Sequence, residues 1–354
     1  VERSLVERRL AAQLLAGQPA RSALDVVRHL LAVQAQDPRG ARLAIRPRTA
    51  GAVASDVDQA LADRELVISW LNRGTLHLVC AEDFWWLHAL TTPPMANGNA
   101  RRLAQEGVDA DAVARGVAVI EQALDREGPQ TRAQLRERVA AAGVRTEGQA
   151  MVHLLANATL QGLIVRGPMH GNEHAFALVR DWLGAPPPFD RDAALAELAR
   201  RYLASHGPAT EADLAKWSGL GLRDARRGFQ LIEHTLWQEG PLVDFRRQES
   251  GDPPPPRLLG AFDPLLMGWA SREPILGPHS HIVTVNGLFR PFALVDGKAV
   301  ATWTINGNKV TLNHLEEIDP ADAQALAHDA EDVLRFLEVP PVNRPRQGIG
   351  TGPR

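Results

Sequence analysis

The octapeptide GPQTRAQL at residues 128–135 returns as GPATEADL at 207–214, and this echo constrains the fold more than any other feature. Each copy follows a charged helical run and opens another helix. In each, the threonine (Thr131 or Thr210) stands where an N-cap hydroxyl accepts from the backbone N–H groups of the first turn. A fainter copy, GQPARSAL, begins at Gly17, so the chain reads as three copies of one unit.

The plan of the unit is clearest in the second copy. DAVARGVAVIEQALDREG, TRAQLRERVAAAG and TEGQAMVHLLANATLQG carry helical periodicity, and LIVRG and HAFALV read as strands around a Gly/Pro-rich turn. Three helices followed by a hairpin is the winged-helix plan. The third copy repeats it with RDAALAELARRYLASHG, TEADLAKWSG and LRDARRGFQLIEHT, then PLVDFRR. The first runs RSLVERRLAAQLLAG, RSALDVVRHLLAVQ and VASDVDQALADRE, then the hairpin LVISWLNRGTLHLVC with its turn near Asn72 to Thr75. Proline runs in GAPPPFD (184–190) and GDPPPPR (251–257) mark linkers. Beyond 257 the pattern turns β-rich, with HIVTVNGLF and PFALVDGKAVATWTINGNKVTL, hairpin turns at Asp296-Gly297 and Asn306-Gly307, and an amphipathic helix over 320–337. The expected fold is mainly α with β-hairpin wings (α+β). Its expected parts are three tandem winged-helix domains at 1–107, 108–184 and 189–252, a β-rich part with a terminal helix at 257–340, and a disordered tail at 341–354.

Composition narrows the function classes only a little. With 354 residues and 45% apolar content the chain can bury sizeable cores. A net charge of −3 does not by itself point to nucleic acid, although a basic face can sit on a neutral protein. Apart from Lys216, Lys298 and Lys309 the basic residues are arginines, which suit bidentate phosphate contacts. The single cysteine, Cys80, rules out an intramolecular disulfide and a cysteine-based zinc site. No apolar run is long enough to span a bilayer, and VERSLVERRL lacks the apolar core of a signal peptide. A soluble, cytoplasmic chain without membrane contact, cofactor or metal is expected.

The stretch LLAVQAQDPRGAR, residues 30–42, breaks its own pattern. Leu24, Val27 and Leu31 form a helical stripe whose next position is Gln34. Pro38 biases Asp37 away from helical geometry, so the helix is expected to end near Gln36. Residues two apart diverge on a helix but share a side of an extended chain. Gln34 and Gln36 therefore converge only where the helix unwinds. Two readings fit: amides that cap the helix end and tie down a loop, or a polar pair lining a cleft. Asp37 is either part of an Asp-Pro turn or a carboxylate beside the pair that activates water. Arg39, Arg42, Arg46 and Arg48 follow, as a solvated loop or as a surface that meets phosphate.

AVQAQDPRGAR, WLNRGTLHLVCAEDFWWL and FDPLLMGWASR…VTVNGLFRPFALVDGKAVATW, in that order, resemble the AlkZ/YcaQ family of bacterial winged-helix DNA glycosylases. The resemblance spans nearly the whole chain. It implies tandem winged-helix domains in a C-shaped arrangement around a DNA channel. Gln34-Ala35-Gln36 matches the Gln–aliphatic–Gln motif of the AlkZ branch, where the YcaQ branch has Gln–aliphatic–Asp, and implies Gln34 and Gln36 as catalytic residues. That branch resembles self-resistance enzymes that remove DNA-crosslinking antibiotics such as azinomycin.

The implied activity is a monofunctional glycosylase hydrolysing N7-alkylguanine, including bulky adducts and interstrand crosslinks. Glutamines can neither protonate a leaving group nor deprotonate water, but an N7-alkylated base is cationic and departs neutral without a proton. Placing a water at C1′ and stabilising an oxocarbenium-like sugar then remain. The expected partner is double-stranded DNA carrying such lesions, bound by a monomer. Expected DNA contacts are Arg39, Arg42, Arg46, Arg73, Arg290 and Lys309. TINGNKVTL with Lys309 is the first candidate for a hairpin entering the minor groove, and VNGLFRPF with Arg290 the second. His279 and His281, alternating on a strand, would share a face, where without a third ligand they make a weak metal site and could contact phosphates. His170 and His174 fall in a wing, and Trp70 and at least one of Trp85 and Trp86 read as core. Asp263 in FDPLL either borders the site or forms an Asp-Pro turn. A winged-helix transcription regulator and a non-catalytic DNA-damage binder are the alternatives, because fold does not fix function.

Overall fold

The computed structural model describes residues 2–171, 173–245 and 254–339; the tail expected at 341–354 lies outside them, as does the end of the third unit beyond 245. The first part of the chain forms α1 (Glu2–Ala12), α2 (Ala23–Leu30), β1 (Val33–Gln34), α3 (Pro38–Leu43), α4 (Ala54–Ala62), β2 (Leu66–Trp70) and β3 (Leu76–Cys80). Two linking helices follow, α5 (Phe84–Thr91) and α6 (Pro93–Gln105). The second unit is α7 (Ala110–Glu127), α8 (Arg132–Ala141), α9 (Ala150–Leu160), β4 (Ile164–His170), β5 (Glu173–Leu178) and a short α10 (Val179–Leu183). The third is α11 (Arg191–His206), α12 (Glu211–Ser218), α13 (Leu222–Leu231), β6 (Leu236–Glu239) and β7 (Leu242–Phe245). The remainder is β8 (Arg257–Leu259), α14 (Pro264–Met267), α15 (Glu273–Leu276), β9 (Phe292–Val295), β10 (Lys298–Asn306), β11 (Lys309–His314) and α16 (Pro320–Phe336).

The repeated octapeptide does what its threonines suggest. Thr131 accepts from Gln134 N at 3.3 Å and Thr210 from Asp213 N at 3.1 Å, each completed as a capping box. The residue before each cap pairs with the second wing strand, Gln130 with Phe176 and Ala209 with Val243. In the first unit the same place is held by β1, paired with β3, and by Asp37, which caps α3 by accepting from Gly40 N at 2.6 Å. The counterpart of the octapeptide is therefore Gln34 to Asp37, one helix later than the copy at Gly17. Helix α1 precedes the repeat, and α3 is a true helix where the sequence suggested only an arginine loop.

The first two wings are not separate. β1-β3-β2-β4-β5 form one antiparallel sheet, closed across the units by Ile68 opposite Arg166. β11-β10-β9-β8 form a second sheet, with β9–β10 turning at Asp296 and Gly297 and β10–β11 pairing out to Asn306 opposite Lys309. HIVTVNGLF does not form the expected strand. It makes a tight turn at Ser280–Ile282 and a loop closed by a single bridge between Val283 and Phe289.

The second sheet packs on the first unit through one apolar cluster that joins Val27, Ala35, Leu61 and Leu78 to Leu258, Trp303 and Phe336. Gly40 has no room for a side chain, because a Cβ there would run into the Ala261 carbonyl. Two buried arginines complete this seam. Arg48 donates to both carboxylate oxygens of Asp263 at 2.9 and 2.8 Å, with both side chains fully buried. Arg46 reaches Asp329, Asp332 and the Leu258 carbonyl.

Candidate active site

Helix α2 begins at Ser22, whose hydroxyl accepts from Asp25 N, and its stripe of Val26, Val27 and Leu30 is buried. It ends at Leu30, a turn before the glutamines. Leu31 takes φ +67° and ψ −49°, and Ala32 N donates to the Leu30 carbonyl at 2.8 Å. This is a γ-turn in its rarer, strained form, an unusual backbone for a leucine. It turns the chain at once from helix to strand. Gln34 therefore does not continue the helical stripe, as the spacing suggested, but lies on β1 opposite His77.

The extended chain brings the two glutamines to one side. Gln34 Nε2 donates to Gln36 Oε1 at 2.7 Å. Gln34 is only 5% exposed and Gln36 is exposed, so the pair runs from the interior to the surface. Neither amide caps the helix. Gln34 Oε1 is buried with no hydrogen-bond partner, an open acceptor next to solvent-facing Gln36. Val33 and Ala35, on the opposite face, belong to the core under the sheet. Asp37 caps α3, so its carboxylate is engaged by backbone.

The sequence reading missed the neighbours of the pair. Gln34 faces His77, and His77 faces Ser69 on β2, so Gln34, His77 and Ser69 form a row across one face of the sheet. His77 Nδ1 lies 3.0 Å from the Thr75 carbonyl, and burial, aided by nearby Arg73, pushes the imidazole down to about 3. Ser69 Oγ and both amide atoms of Asn72, in the wing turn, are buried without partners. The signal was present in LVISW and TLHLVC, where Ser69 and His77 interrupt otherwise apolar strand interiors.

The expected DNA contacts divide. Arg39, Arg290 and Lys309 are exposed. Arg46 is not available to phosphate, because its side chain is 1% exposed and chelated by Asp329 and Asp332. Arg42 is buried against Asp58 and donates to the Pro38 carbonyl at 2.7 Å. Arg73 donates to the Trp217 carbonyl of α12, and burial lowers it to about 10. These arginines hold elements together rather than face a ligand. Asp263 is an N-cap, accepting from Leu265 N, as well as the partner of Arg48, and does not border the pair.

The histidine pair also departs from expectation. His279 and His281 lie at the Ser280 turn, not on a strand, with His279 Nε2 2.6 Å from Glu316 Oε1. His170 and His174 do fall in the second wing, with burial pushing His174 down to about 4. Trp70, Trp85 and Trp86 pack partly buried against the cores. Among the described residues, Cys80, Glu82 and Asp83 come close enough to share a metal ion. Asp83 is paired with Arg201 and Glu82 with Arg28, and burial raises the Cys80 thiol to about 12, so these groups suit ion pairs and core rather than a metal.

The helix-and-hairpin units thus carry an amide pair that runs from buried Gln34, whose Oε1 is an open acceptor, to exposed Gln36. The family described as "DNA glycosylase AlkZ-like" matches residues 27–336, and the chain belongs to that family. A Streptomyces sahachiroi protein named interstrand DNA cross-link repair glycosylase is 26% identical over 370 residues, covering 92% of this chain and 94% of that protein. The solved structure of Streptomyces sahachiroi DNA glycosylase AlkZ superposes with a TM-score of 0.78 at 25% identity, covering 95% of this chain and 96% of that one. At that identity the chain is a relative of the Streptomyces protein and a distinct protein from it.

Proposed function

We propose that this glycosylase hydrolyses the N-glycosidic bond of N7-alkylated guanine, including bulky adducts and interstrand crosslinks, and that Gln34 and Gln36 carry the reaction. The observation behind this reading is the extended amide pair with its buried open acceptor. An acceptor aimed in advance can hold a water against C1′ and face the positive charge that develops on the sugar. The alkylated base leaves as a neutral molecule, so no general acid is required. Normal guanine, which would leave as an anion, is out of reach of such weak groups. The cross-link glycosylase named among the relatives supports bulky substrates.

The protein works in the cytoplasm as a monomer on duplex DNA, with Arg39, Arg290 and Lys309 at phosphates. The β10–β11 hairpin enters the minor groove, opposite the N7 substituent. The 283–289 loop, with Val285 fully exposed and Leu288 58% exposed close to Arg290, is the second candidate. The test is single-turnover release of N7-methylguanine and unhooking of a crosslinked duplex, read as alkali-labile abasic sites. Gln34→Ala and Gln36→Ala are expected to slow release by about 100-fold or more with unchanged melting. Variants that both release base at the parent rate would sink the reading. A transcription regulator would leave every base in place and prefer one sequence, whereas a damage binder would retain the lesion intact.

A further inference from the structure

We propose that His77 is a further catalytic residue, the acceptor that shares the attacking water with Gln34 and receives its proton; this deepens the N7-alkylguanine reading and rests on it. Gln34 and His77 are directly opposed on β1 and β3, so their side chains rise side by side from one face of the sheet. The imidazole donates from Nδ1 to the Thr75 carbonyl, which fixes the neutral tautomer and leaves Nε2 as a bare lone pair. No hydrogen bond reaches Nε2 among the described residues. Gln34, opposite His77 on β1, and Ser69, opposite it on β2, each carry a buried, unpartnered oxygen.

Such a row is costly as structure. Each open buried group is destabilising, and an apolar row would fill the same face without that cost. Native proteins leave groups open where water or substrate completes them. A water between two acceptors donates one hydrogen to each, which points its lone pairs away from them toward an incoming sugar.

The step balances without any other reagent. The water oxygen forms the bond to C1′ as the C1′–N9 bond breaks. The bonding pair goes to the base and cancels the charge that alkylation placed on it. The proton lost by the new sugar hydroxyl passes to His77 Nε2 and from there to solvent. A weakly basic imidazole is adequate, because water bonded to an oxocarbenium-like carbon is strongly acidic at that moment.

The test uses the full chain on a duplex carrying one N7-methylguanine, with affinity measured separately on a duplex bearing a tetrahydrofuran abasic analogue. His77→Leu is expected to slow single-turnover release about 100-fold while the Kd changes less than about two-fold. His77→Gln keeps an acceptor but cannot take the proton, and should fall between, about 10-fold below the parent. If the leucine variant does not fold, the glutamine variant carries the test at unchanged melting and Kd. Rates within about three-fold of the parent, or a loss of rate matched by a loss of affinity, overturn the role of His77. A parent protein that releases no N7-methylguanine removes the underlying reading instead, so the two failures are distinguishable.

Discussion

Asp37 is the residue whose two roles separate most cleanly. Its carboxylate adjoins the glutamines in sequence, yet its oxygen is bound to Gly40 N at the start of α3, the place that threonine holds in the other two units. A cap needs an acceptor on a short side chain, and serine supplies one. Asp37→Ser should therefore keep the release rate of N7-methylguanine within a few-fold, whereas Asp37→Ala should lose about 1 kcal/mol of stability through the missing cap. A hundred-fold slower serine variant, at parental melting temperature, would make the carboxylate a water activator after all. The convergence of Gln34 and Gln36 was legible in the sequence, because it required only an extended chain. Residue type was a poor guide to the arginines. Charge alone does not tell a phosphate contact from an ion pair whose partner, such as Asp329, lies nearly 300 residues away in sequence.

At the scale of elements, the seam between the first unit and the C-terminal sheet hangs on Arg48 and Asp263, both fully buried. Removing one partner of such a pair strands the other charge in the interior. Asp263→Ala is expected to cost about 3–5 kcal/mol in chemical denaturation, far more than an ordinary N-cap loss. A cost near 1 kcal/mol would mean that Arg48 finds water when its partner is gone. The helices and wings of the second and third units were legible because helical period, threonine caps and turn glycines agree with one another in those segments. The first unit was legible only in part. Its capping residue is an aspartate before proline, its first strand is two residues long, and a leucine occupies the position where a helix commonly ends on glycine. The loop at 283–289 misled for a related reason, since alternating Val and Thr satisfy a strand pattern although, among the described residues, it pairs only through the Val283–Phe289 bridge.

Over the whole molecule, the net charge of −3 says little about the charge that faces DNA, because buried arginines such as Arg46 and Arg48 cancel against their own carboxylate partners. Only the exposed cations can displace counterions from the duplex. Replacing Arg39, Arg290 or Lys309 by alanine should weaken binding about equally on all sequences and flatten the plot of log affinity against log salt by about one unit each. Arg46→Ala should leave that slope alone while lowering the melting temperature. A slope that follows Arg46 and ignores the three exposed residues would place the DNA on another face. The shared sheet of the first two wings was beyond sequence reading, because strand pairing between units leaves no local signature.

The γ-turn at Leu31 bears on when the motif becomes ordered. A glycine there would accept the same backbone without strain but would leave the following residues free to wander. Leucine, fully buried in the core beneath the wing, anchors the bend by its own side chain. The conformational entropy of residues 31–36 is thus lost once, when the chain folds. The two amides are therefore held at their 2.7 Å contact in the free protein, before any partner arrives.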